Sequence, residues 1–248
     1  MDLELTGKRV LVTGGSRGIG RAITKAFLDD GARVAICARG EAALAEAAGE
    51  LSEFGEVHHR PADIGVVGEP AALVDWAADT LGGLDILVSN VSAMAGPDWE
   101  ASCAVDLVGT NALIRAALQH MEDGTGANIV CVGSRAASTA AARIPAYAAV
   151  KAATVSMVKS LAREVARRGI RANVVSPGDI IFPGGTWDDA RIEDGKLWQA
   201  ILRENPFRRL GEPEEIADVV AFVASARASF MTGANVLVDG GATTGVQI

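Results

Sequence analysis

The sequence predicts an α/β protein with a doubly wound parallel sheet of about seven strands and helices on both faces. Three observations support this fold class. Short β-branched runs alternate with longer helical patterns, a glycine-rich segment follows the first strand, and no change of composition divides the 248 residues. We therefore expect one domain over residues 1–248, with a substrate-binding flap at about 183–212.

The elements follow one another as strand and helix from the N-terminus. Apolar runs such as KRVLVTG (8–14) predict buried strands, and glycine or serine ends several helical patterns. The predicted strands are 8–14, 33–39, 57–63, 84–90, 128–134, 170–178 and 235–241. The predicted helices are 18–31, 41–53, 69–81, 98–121, 145–168 and 214–225.

Composition excludes several classes of function. The net charge of -8 argues against a nucleic-acid-binding surface. The start MDLELTGKRV lacks the basic and apolar regions of a signal peptide, and apolar runs such as VVAFVA (219–224) are too short to span a bilayer. The three cysteines and three histidines lack metal-ligand spacing, which predicts no metal site and a reducing cytoplasm.

The glycine-rich segment TGGSRGIG (13–20) lies between the first strand and the first helix. Glycines permit a tight turn and let the backbone approach a pyrophosphate, while the following helix offers free N–H groups. A plain βα turn is the alternative for this motif taken alone. The residues predicted to bind the nucleotide here are Gly14, Ser16, Arg17, Gly18, Ile19 and Gly20.

The end of the second strand indicates which nucleotide is preferred. Folds of the Rossmann type that bind NAD have an acid here for the ribose 2′-hydroxyl, whereas a base accepts the 2′-phosphate of NADP. This strand ends at Arg39 without an acid, and Arg17 adds a second guanidinium. Two solvated arginines are the alternative, but together with the missing acid they favour NADP(H) over NAD(H).

From end to end, the chain resembles the short-chain dehydrogenase/reductase family. The resemblance rests on seven motifs in the family's order, which are TGGSRGIG (13–20), Asp63-Ile64, Asn90, Ser134, YAAVK (147–151), NVVSPG (173–178) and TGANVLVDGG (232–241). It implies that Asp63 contacts adenine, that Asn90 lines the cofactor channel and that Pro177-Gly178 lies against the nicotinamide. Ile64 and Ile180 are also expected at the cofactor.

Tyr147 is the only tyrosine of the chain, and Lys151 follows it by four residues. On the predicted helix the two side chains share a face. A free phenol titrates at about 10, so acid/base work near neutrality needs a nearby positive charge. Tyr147 is therefore predicted to be the general acid or base and to lie at the cofactor, with Lys151 activating it and holding the nicotinamide ribose. An incidental pair on an amphipathic helix is the alternative for this spacing alone.

Ser134 lies thirteen residues before Tyr147, as the catalytic serine does in the family. The resemblance implies that Ser134 hydrogen-bonds the substrate oxygen.

Asp106 departs from the family pattern, which has asparagine at this position in V-N-L-x-G. In the family, the backbone carbonyl of that asparagine holds a water of the proton relay, and Asp106 is expected to keep this role. An ionised carboxylate would oppose ionisation of the Tyr147 phenol and work against Lys151. It could instead be protonated, or paired with a partner that the sequence does not reveal.

Two further departures concern the cofactor channel. Val91 and Ser92 are bulkier than the usual alanine and glycine, and Phe182 replaces a threonine that contacts the nicotinamide amide in the family. Gly184-Gly185 begins the flap as a possible hinge. The aromatic residues of the flap indicate an apolar or aromatic substrate, or else a small core of the flap itself. These residues are Trp187, Trp198 and Phe207.

The leading prediction is a cytoplasmic NADP(H)-dependent oxidoreductase that interconverts a ketone and a secondary alcohol, with 3-oxoacyl thioesters among the possible substrates. The alternative is a nucleotide-binding regulator or scaffold that has kept the fold and lost turnover. An α/β protein that binds no nucleotide is a third possibility. By analogy with the family, a homotetramer or dimer is expected, with neither nucleic acid nor membrane as a partner.

Overall fold

Seven parallel strands form the centre of the computed structural model, which describes residues 2–94, 96–141 and 143–245. The strands are β1 (Arg9–Thr13), β2 (Arg33–Ala38), β3 (Val57–Pro61), β4 (Ile86–Ser89), β5 (Asn128–Val132), β6 (Arg171–Pro177) and β7 (Asn235–Val238). They pair in parallel in the order β3-β2-β1-β4-β5-β6-β7. This confirms the predicted Rossmann-type fold class. The strand order reverses between β1 and β4, where open sheets of this kind bind ligands.

Helices cover both faces of the sheet. They are α1 (Gly18–Asp29), α2 (Glu41–Leu51), α3 (Glu69–Leu81), α4 (Trp99–Ser102), α5 (Thr110–His120), α6 (Pro145–Val165), α7 (Thr186–Glu193), α8 (Gly195–Glu204) and α9 (Pro213–Ala224). Proline at the first position starts both α6 and α9, where its missing N–H costs no hydrogen bond. Gly82 ends α3 with a φ of 76°, a left-handed conformation that favours glycine.

The core has two halves, one on each face of the sheet. Alternate residues of β1 point to opposite sides, so Val10 and Val12 pack with α1 and α9 while Leu11 packs with α3 and α5. Phe27 of α1 is completely buried in the first of these clusters. Burial of each such side chain contributes about 1.5–3 kcal/mol. The sheet therefore has two apolar faces, and only its edges and strand ends remain available for chemistry.

The predicted helix over 98–121 is not uniform. Its middle, Cys103–Gly109, is a π-helix between α4 and α5. Gly109 lies so close to the loop after β3 that a Cβ atom there would be 2.2 Å from the carbonyl oxygen of Ile64. π-Helical turns inside α-helices occur frequently at functional sites. Here the π-helix contains Asp106, which is buried.

The run Trp99–His120 is also the one helix among the described residues that is long and apolar enough to cross a membrane. It is 22 residues long, and 50% of its apolar window is buried inside the fold. Its contacts with α3 and α6 account for its apolar composition.

The predicted flap contains α7 and α8, which pack against each other. The Asp194 carboxylate caps α8 by accepting the N–H groups of Lys196 and Leu197 at 3.1 and 3.0 Å. Just after α8, the Asn205 amide donates to the Asp239 carbonyl at 3.1 Å. The C-terminal end of α8 is thereby attached to the segment that follows β7.

Candidate active site

The predicted site residues lie where neighbouring strands end at one edge of the sheet. Gly14 follows β1, Asn90 follows β4, Ser134 follows β5 by two residues, and Gly178 follows β6. In a parallel sheet these carboxyl ends meet at the same edge. The structure therefore gathers into one region residues that the sequence spreads over more than half of the chain.

The glycine loop between β1 and α1 needs glycine at three positions. Gly14 and Gly18 have φ values of 72° and 53°, in the left-handed region. A Cβ atom at Gly20 would lie 2.1 Å from the Gly14 carbonyl oxygen. The side chain of Arg17, the N-cap of α1, makes no capping hydrogen bond. The loop thus brings glycine backbone in front of a helix N-terminus, an arrangement that fits the pyrophosphate of a dinucleotide.

Asn90 connects the end of β4 to the glycine loop. Its side-chain amide donates to the Thr13 carbonyl at 3.0 Å, and its own N–H donates to the Thr13 hydroxyl at 2.9 Å. A methyl group of Val91 would lie 3.3 Å from a Cβ atom at Gly14. Sequence reasoning missed Thr13, which is completely buried and holds this junction. A polar residue at the end of an apolar strand was the available signal.

The other residues predicted to bind the cofactor differ in whether their side chains are exposed or buried. Asp63 is half-buried, and its carboxylate accepts the Gly65 N–H at 2.9 Å. Ile64 and Ile180 have side chains in the core, with 2% and 7% exposure, so only their backbone is available to a ligand. Arg39 is exposed at the end of β2 and makes no ion pair with the described residues.

The glycine loop is also attached to the end of β2. The N–H groups of Gly14 and Gly15 donate to the Cys37 carbonyl at 2.8 and 3.1 Å. Arg39 lies two residues beyond Cys37. It therefore follows β2 at the same end of the sheet as the glycine loop.

Helix α6 brings Tyr147 and Lys151 together. The Lys151 ammonium lies 5.6 Å from the centroid of the Tyr147 ring and donates to the Val132 carbonyl at 3.2 Å. Ser134 begins a short 3₁₀ turn that packs against α6, and its hydroxyl accepts the Ala136 N–H at 3.1 Å. Tyr147 and Ser134 are half-buried, so both hydroxyl groups remain within reach of a ligand.

Asp106 is the ion-pair partner of Lys151. Its Oδ1 lies 3.1 Å from the Lys151 Nζ, and the two side chains are only 1% and 5% exposed. This Oδ1 has no directed hydrogen bond within the described part of the chain, so the contact is a charge pair. The other oxygen, Oδ2, accepts the Ala93 N–H at 3.0 Å. Of the alternatives left open by the sequence, the structure thus presents the paired carboxylate.

The ion pair determines the charge state of the lysine. Burial opposes the ammonium form of Lys151. The negative charges of the Tyr147 phenolate and the Asp106 carboxylate outweigh this effect, so the pKa of Lys151 is raised. The lysine is therefore a permanent cation near neutral pH, and its charge is shared between a phenol and a carboxylate. The Asp106 carbonyl also accepts the Thr154 hydroxyl at 3.4 Å, which connects the π-helix to α6.

The beginning of the flap lies on the glycine loop. A Cβ atom at Gly18 would be 2.7 Å from the Phe182 ring, and one at Gly185 would be 2.9 Å from it. The Arg17 guanidinium donates to the Gly184 carbonyl at 3.1 Å. The two glycines predicted as a possible hinge are therefore held against the phosphate loop by a phenyl ring and an arginine.

Together these features define a class of protein. A doubly wound parallel sheet, a glycine loop at the switch point and a tyrosine-lysine pair beside it are the parts of an enzyme that transfers a hydride with a nicotinamide nucleotide. The chain belongs to the short-chain dehydrogenase/reductase family. The family model described as Enoyl-(Acyl carrier protein) reductase matches residues 14–243.

Relatives and solved structures agree with this assignment. Isoepoxydon dehydrogenase patN of Aspergillus clavatus is 35% identical, with 98% of each chain covered. Pseudomonas aeruginosa RhlG, solved as an NADP active-site complex, has a TM-score of 0.90 at 31% identity, covering 97% of this chain and 98% of that one. L-Sorbose reductase from Gluconobacter frateurii, complexed with NADPH and L-sorbose, has a TM-score of 0.89 at 31% identity, covering 99% and 100%. The protein is therefore an NAD(P)-dependent oxidoreductase that acts on CH–OH groups.

Proposed function

We propose that the protein is an NADP(H)-dependent enzyme that interconverts a ketone and a secondary alcohol with Ser134, Tyr147 and Lys151. One observation carries the proposal: a buried ammonium lies beside the only tyrosine, at the strand ends where the nucleotide loop also lies. The bound nicotinamide supplies or accepts the hydride.

The three side chains divide the proton chemistry between them. In reduction, the Tyr147 hydroxyl gives its proton to the oxygen on which negative charge develops, and in oxidation it takes the proton back. The Ser134 hydroxyl accepts from Ala136 N–H and so keeps its own hydrogen free to donate to the substrate oxygen. Lys151 stabilises the phenolate form by its charge.

Lys151 has donor capacity left for the nucleotide. An ammonium carries three N–H groups. One donates to the Val132 carbonyl, while the Asp106 carboxylate forms a charge pair with the ammonium and no directed hydrogen bond. A remaining N–H group is available for the hydroxyls of the nicotinamide ribose, as the family resemblance predicts.

The test is consumption of NADPH with a panel of ketones, together with reduction of NADP⁺ by the corresponding alcohols. Turnover in either direction supports the proposal. Nucleotide binding without turnover of any member would favour the regulator alternative, and absence of nucleotide binding would contradict both.

Preference for NADP(H) is supported by Arg39 and Arg17, which are both exposed near the glycine loop. Replacing Arg39 with Ala is expected to weaken NADPH binding about tenfold or more, because a charge-assisted hydrogen bond contributes about 1.5–3 kcal/mol. NADH binding should change little. Fluorescence titration of both nucleotides measures this, with the exposed Arg163→Ala as the matched control. Equal losses for the two nucleotides would contradict the preference.

Phe182 is proposed to retain the bound nucleotide by holding the beginning of the flap on the glycine loop. Replacing it with Ala is expected to release NADPH about tenfold faster, since loss of the ring contact costs roughly 1–2 kcal/mol. Stopped-flow displacement of NADPH measures the rate. The control is Phe207→Ala, a flap phenylalanine that is 69% exposed. Unchanged or slower release in the Phe182→Ala variant would contradict the role.

We further infer a homo-oligomer, a tetramer or dimer, in the cytoplasm. The support for assembly is Phe230, whose side chain is fully exposed and which precedes β7 by five residues. The support for a reducing compartment is that Cys37, Cys103 and Cys131 are all free thiols. Light scattering of the purified protein tests the assembly, and a monomer at all concentrations would contradict it.

A further inference from the structure

Three charged side chains beside the catalytic region have no part in the proton transfer described above. Arg135, Asp179 and Glu204 form one cluster around a single nitrogen of the arginine. Arg135 Nη2 lies 2.9 Å from Asp179 Oδ2 and 3.1 Å from Glu204 Oε2. The Arg135 and Asp179 side chains are only 19% and 15% exposed, whereas that of Glu204 is 55% exposed.

The position of the cluster is set by the residues that precede its members. Arg135 follows Ser134 directly, and Asp179 follows Gly178 directly. Strands β5 and β6 are neighbours in the sheet, with Val132 opposite Val175. The backbone of Arg135 and Asp179 therefore directly adjoins the residues that are predicted to contact the substrate oxygen and the nicotinamide. Glu204, the last residue of α8, approaches the cluster from the flap.

The cluster is unusual for a site that would bind an apolar substrate. A largely buried charge is costly unless it is paired and hydrogen-bonded. Burial raises the pKa of Asp179, and the Arg135 charge acts against this rise. An apolar ligand would remove water from these groups and give no polar contact in return. This uncompensated loss of hydration disfavours the binding of an apolar ligand.

The charges also select against an anion. The cluster contains one positive and two negative groups. Arg135 is thus more than neutralised, and a substrate carboxylate or phosphate placed beside it would meet Asp179 as well. A neutral hydroxyl group suits both partners, because it accepts from a guanidinium N–H through a lone pair and donates its hydrogen to a carboxylate.

Arg135 retains donors for such a contact. A guanidinium has five N–H donors, and only Nη2 of Arg135 is engaged by the residues that the structure describes. The Asp179 carboxylate has a single charged contact, at Oδ2, in the same part of the chain. Both members of the pair can therefore bond a ligand while keeping the ion pair that holds them in place.

We propose that Arg135 and Asp179 select neutral substrates that carry a hydroxyl next to the reacting carbon, which are α-hydroxy ketones and the corresponding vicinal diols. This inference rests on the proposed function and specifies its substrate class. It replaces the expectation of an apolar or aromatic substrate. Of the flap aromatics behind that expectation, Phe207 is largely exposed, and Trp187 and Trp198 are half-buried.

The test compares two ketones that differ by one hydroxyl, 2-hydroxycyclohexanone and cyclohexanone, with NADPH as the reductant. We expect kcat/KM of the unmodified enzyme to be at least about tenfold higher for the hydroxy ketone, since a site built for a hydroxyl rejects the analogue without it. In Asp179→Ala, the ratio of the two kcat/KM values should fall toward one, mainly through KM of the hydroxy ketone.

Two further variants separate recognition from a merely structural role. Glu204→Gln loosens the contact with the flap and should affect both ketones alike. Glu193→Gln, at an exposed glutamate of α7, should leave the ratio unchanged. If Asp179→Ala folds poorly by circular dichroism, Asp179→Asn takes its place. Asparagine keeps the size of the side chain and removes the charge, and the ratio should again fall.

The outcomes distinguish failure of this inference from failure of the proposed function. Turnover of both ketones with equal kcat/KM, or a preference for cyclohexanone, acetophenone or an acetoacetyl thioester, overturns the substrate class and leaves the oxidoreductase function intact. A ratio unchanged in both Asp179 variants overturns the assignment of this residue. No turnover of any ketone or of the corresponding alcohols, while NADPH binds, overturns both proposals.

Discussion

Replacing Tyr147 with Phe is expected to lower kcat for ketone reduction by about 10²–10⁴-fold, the usual contribution of a positioned acid or base. The change removes the only phenolic hydroxyl of the chain and keeps the ring that lies near Lys151. NADPH binding should be retained, because the glycine loop and Arg39 are untouched. The measurements are steady-state kinetics and a fluorescence titration of NADPH.

Ser134→Ala provides the second arm of this experiment. It should also reduce kcat, since the substrate oxygen loses a donor at the moment when its charge develops. Ser138→Ala is the matched control, because Ser138 is an exposed serine of the same 3₁₀ turn. A Tyr147→Phe enzyme that keeps more than about a tenth of the kcat would contradict general acid catalysis by this residue.

Removal of the Asp106 carboxylate is expected to have the largest effect on stability. Asp106→Leu leaves the Lys151 ammonium buried without its counter-ion, and loss of one partner of such a pair costs about 3–5 kcal/mol. Asp106→Asn should cost less than the Leu change, because its single amide oxygen can still accept at one of the two positions, either from the ammonium or from Ala93 N–H. Urea unfolding at about pH 7 measures the free energies of unfolding.

The pH dependence of this stability follows from the sign of the lysine shift. The pKa of Lys151 is raised above its ordinary 10.5, so the folded protein holds this proton more tightly than the unfolded chain does. The stabilisation that Lys151 contributes is therefore fully present below pH 10.5. It is lost as the pH rises through the raised pKa of Lys151 in the folded protein. The difference in the free energy of unfolding between the natural protein and Asp106→Leu should therefore be fully present at neutral pH. Asp189→Asn, at an exposed flap carboxylate, should change stability by less than about 0.5 kcal/mol.

The same residue is expected to influence the pH profile of the reaction. The groups that face Lys151 are Tyr147 on its own helix, Asp106 on the π-helix and Cys131 on β5. With Asn at 106, the lysine charge acts on the phenol without an opposing carboxylate, so the pH at which the rate is half-maximal should move downward. An unchanged pH–rate profile would contradict this coupling and leave Asp106 with a role in stability alone.

Local patterns were sufficient to predict most of the fold. The apolar runs of β1 and β5 are completely or almost completely buried, as expected for strands covered on both faces, and Gly31, which was predicted to end the first helix, lies two residues beyond the end of α1 at Asp29. The order of motifs along the chain also identified the family. These features depend on side-chain type and spacing over a few residues, which a sequence displays directly.

Contacts between distant residues could not be predicted in this way. The π-helical turn at Cys103–Gly109 depends on how closely Gly109 approaches the backbone of Ile64, and no local pattern reports that distance. The same holds for the Phe182 ring on Gly18, which joins residues far apart in the chain.

The sequence by itself determined the class of chemistry, because its motifs are recognised from residue type and spacing alone. These are a lone tyrosine four residues before a lysine, a serine thirteen residues before that tyrosine, and a glycine loop. Only the tertiary structure decided how the charges are arranged. It paired Asp106 with Lys151, and it placed Arg135 and Asp179 side by side, with Glu204 of α8 beside them. The physical reason is that the strength of a charge interaction depends on separation in space and on burial, and folding sets both.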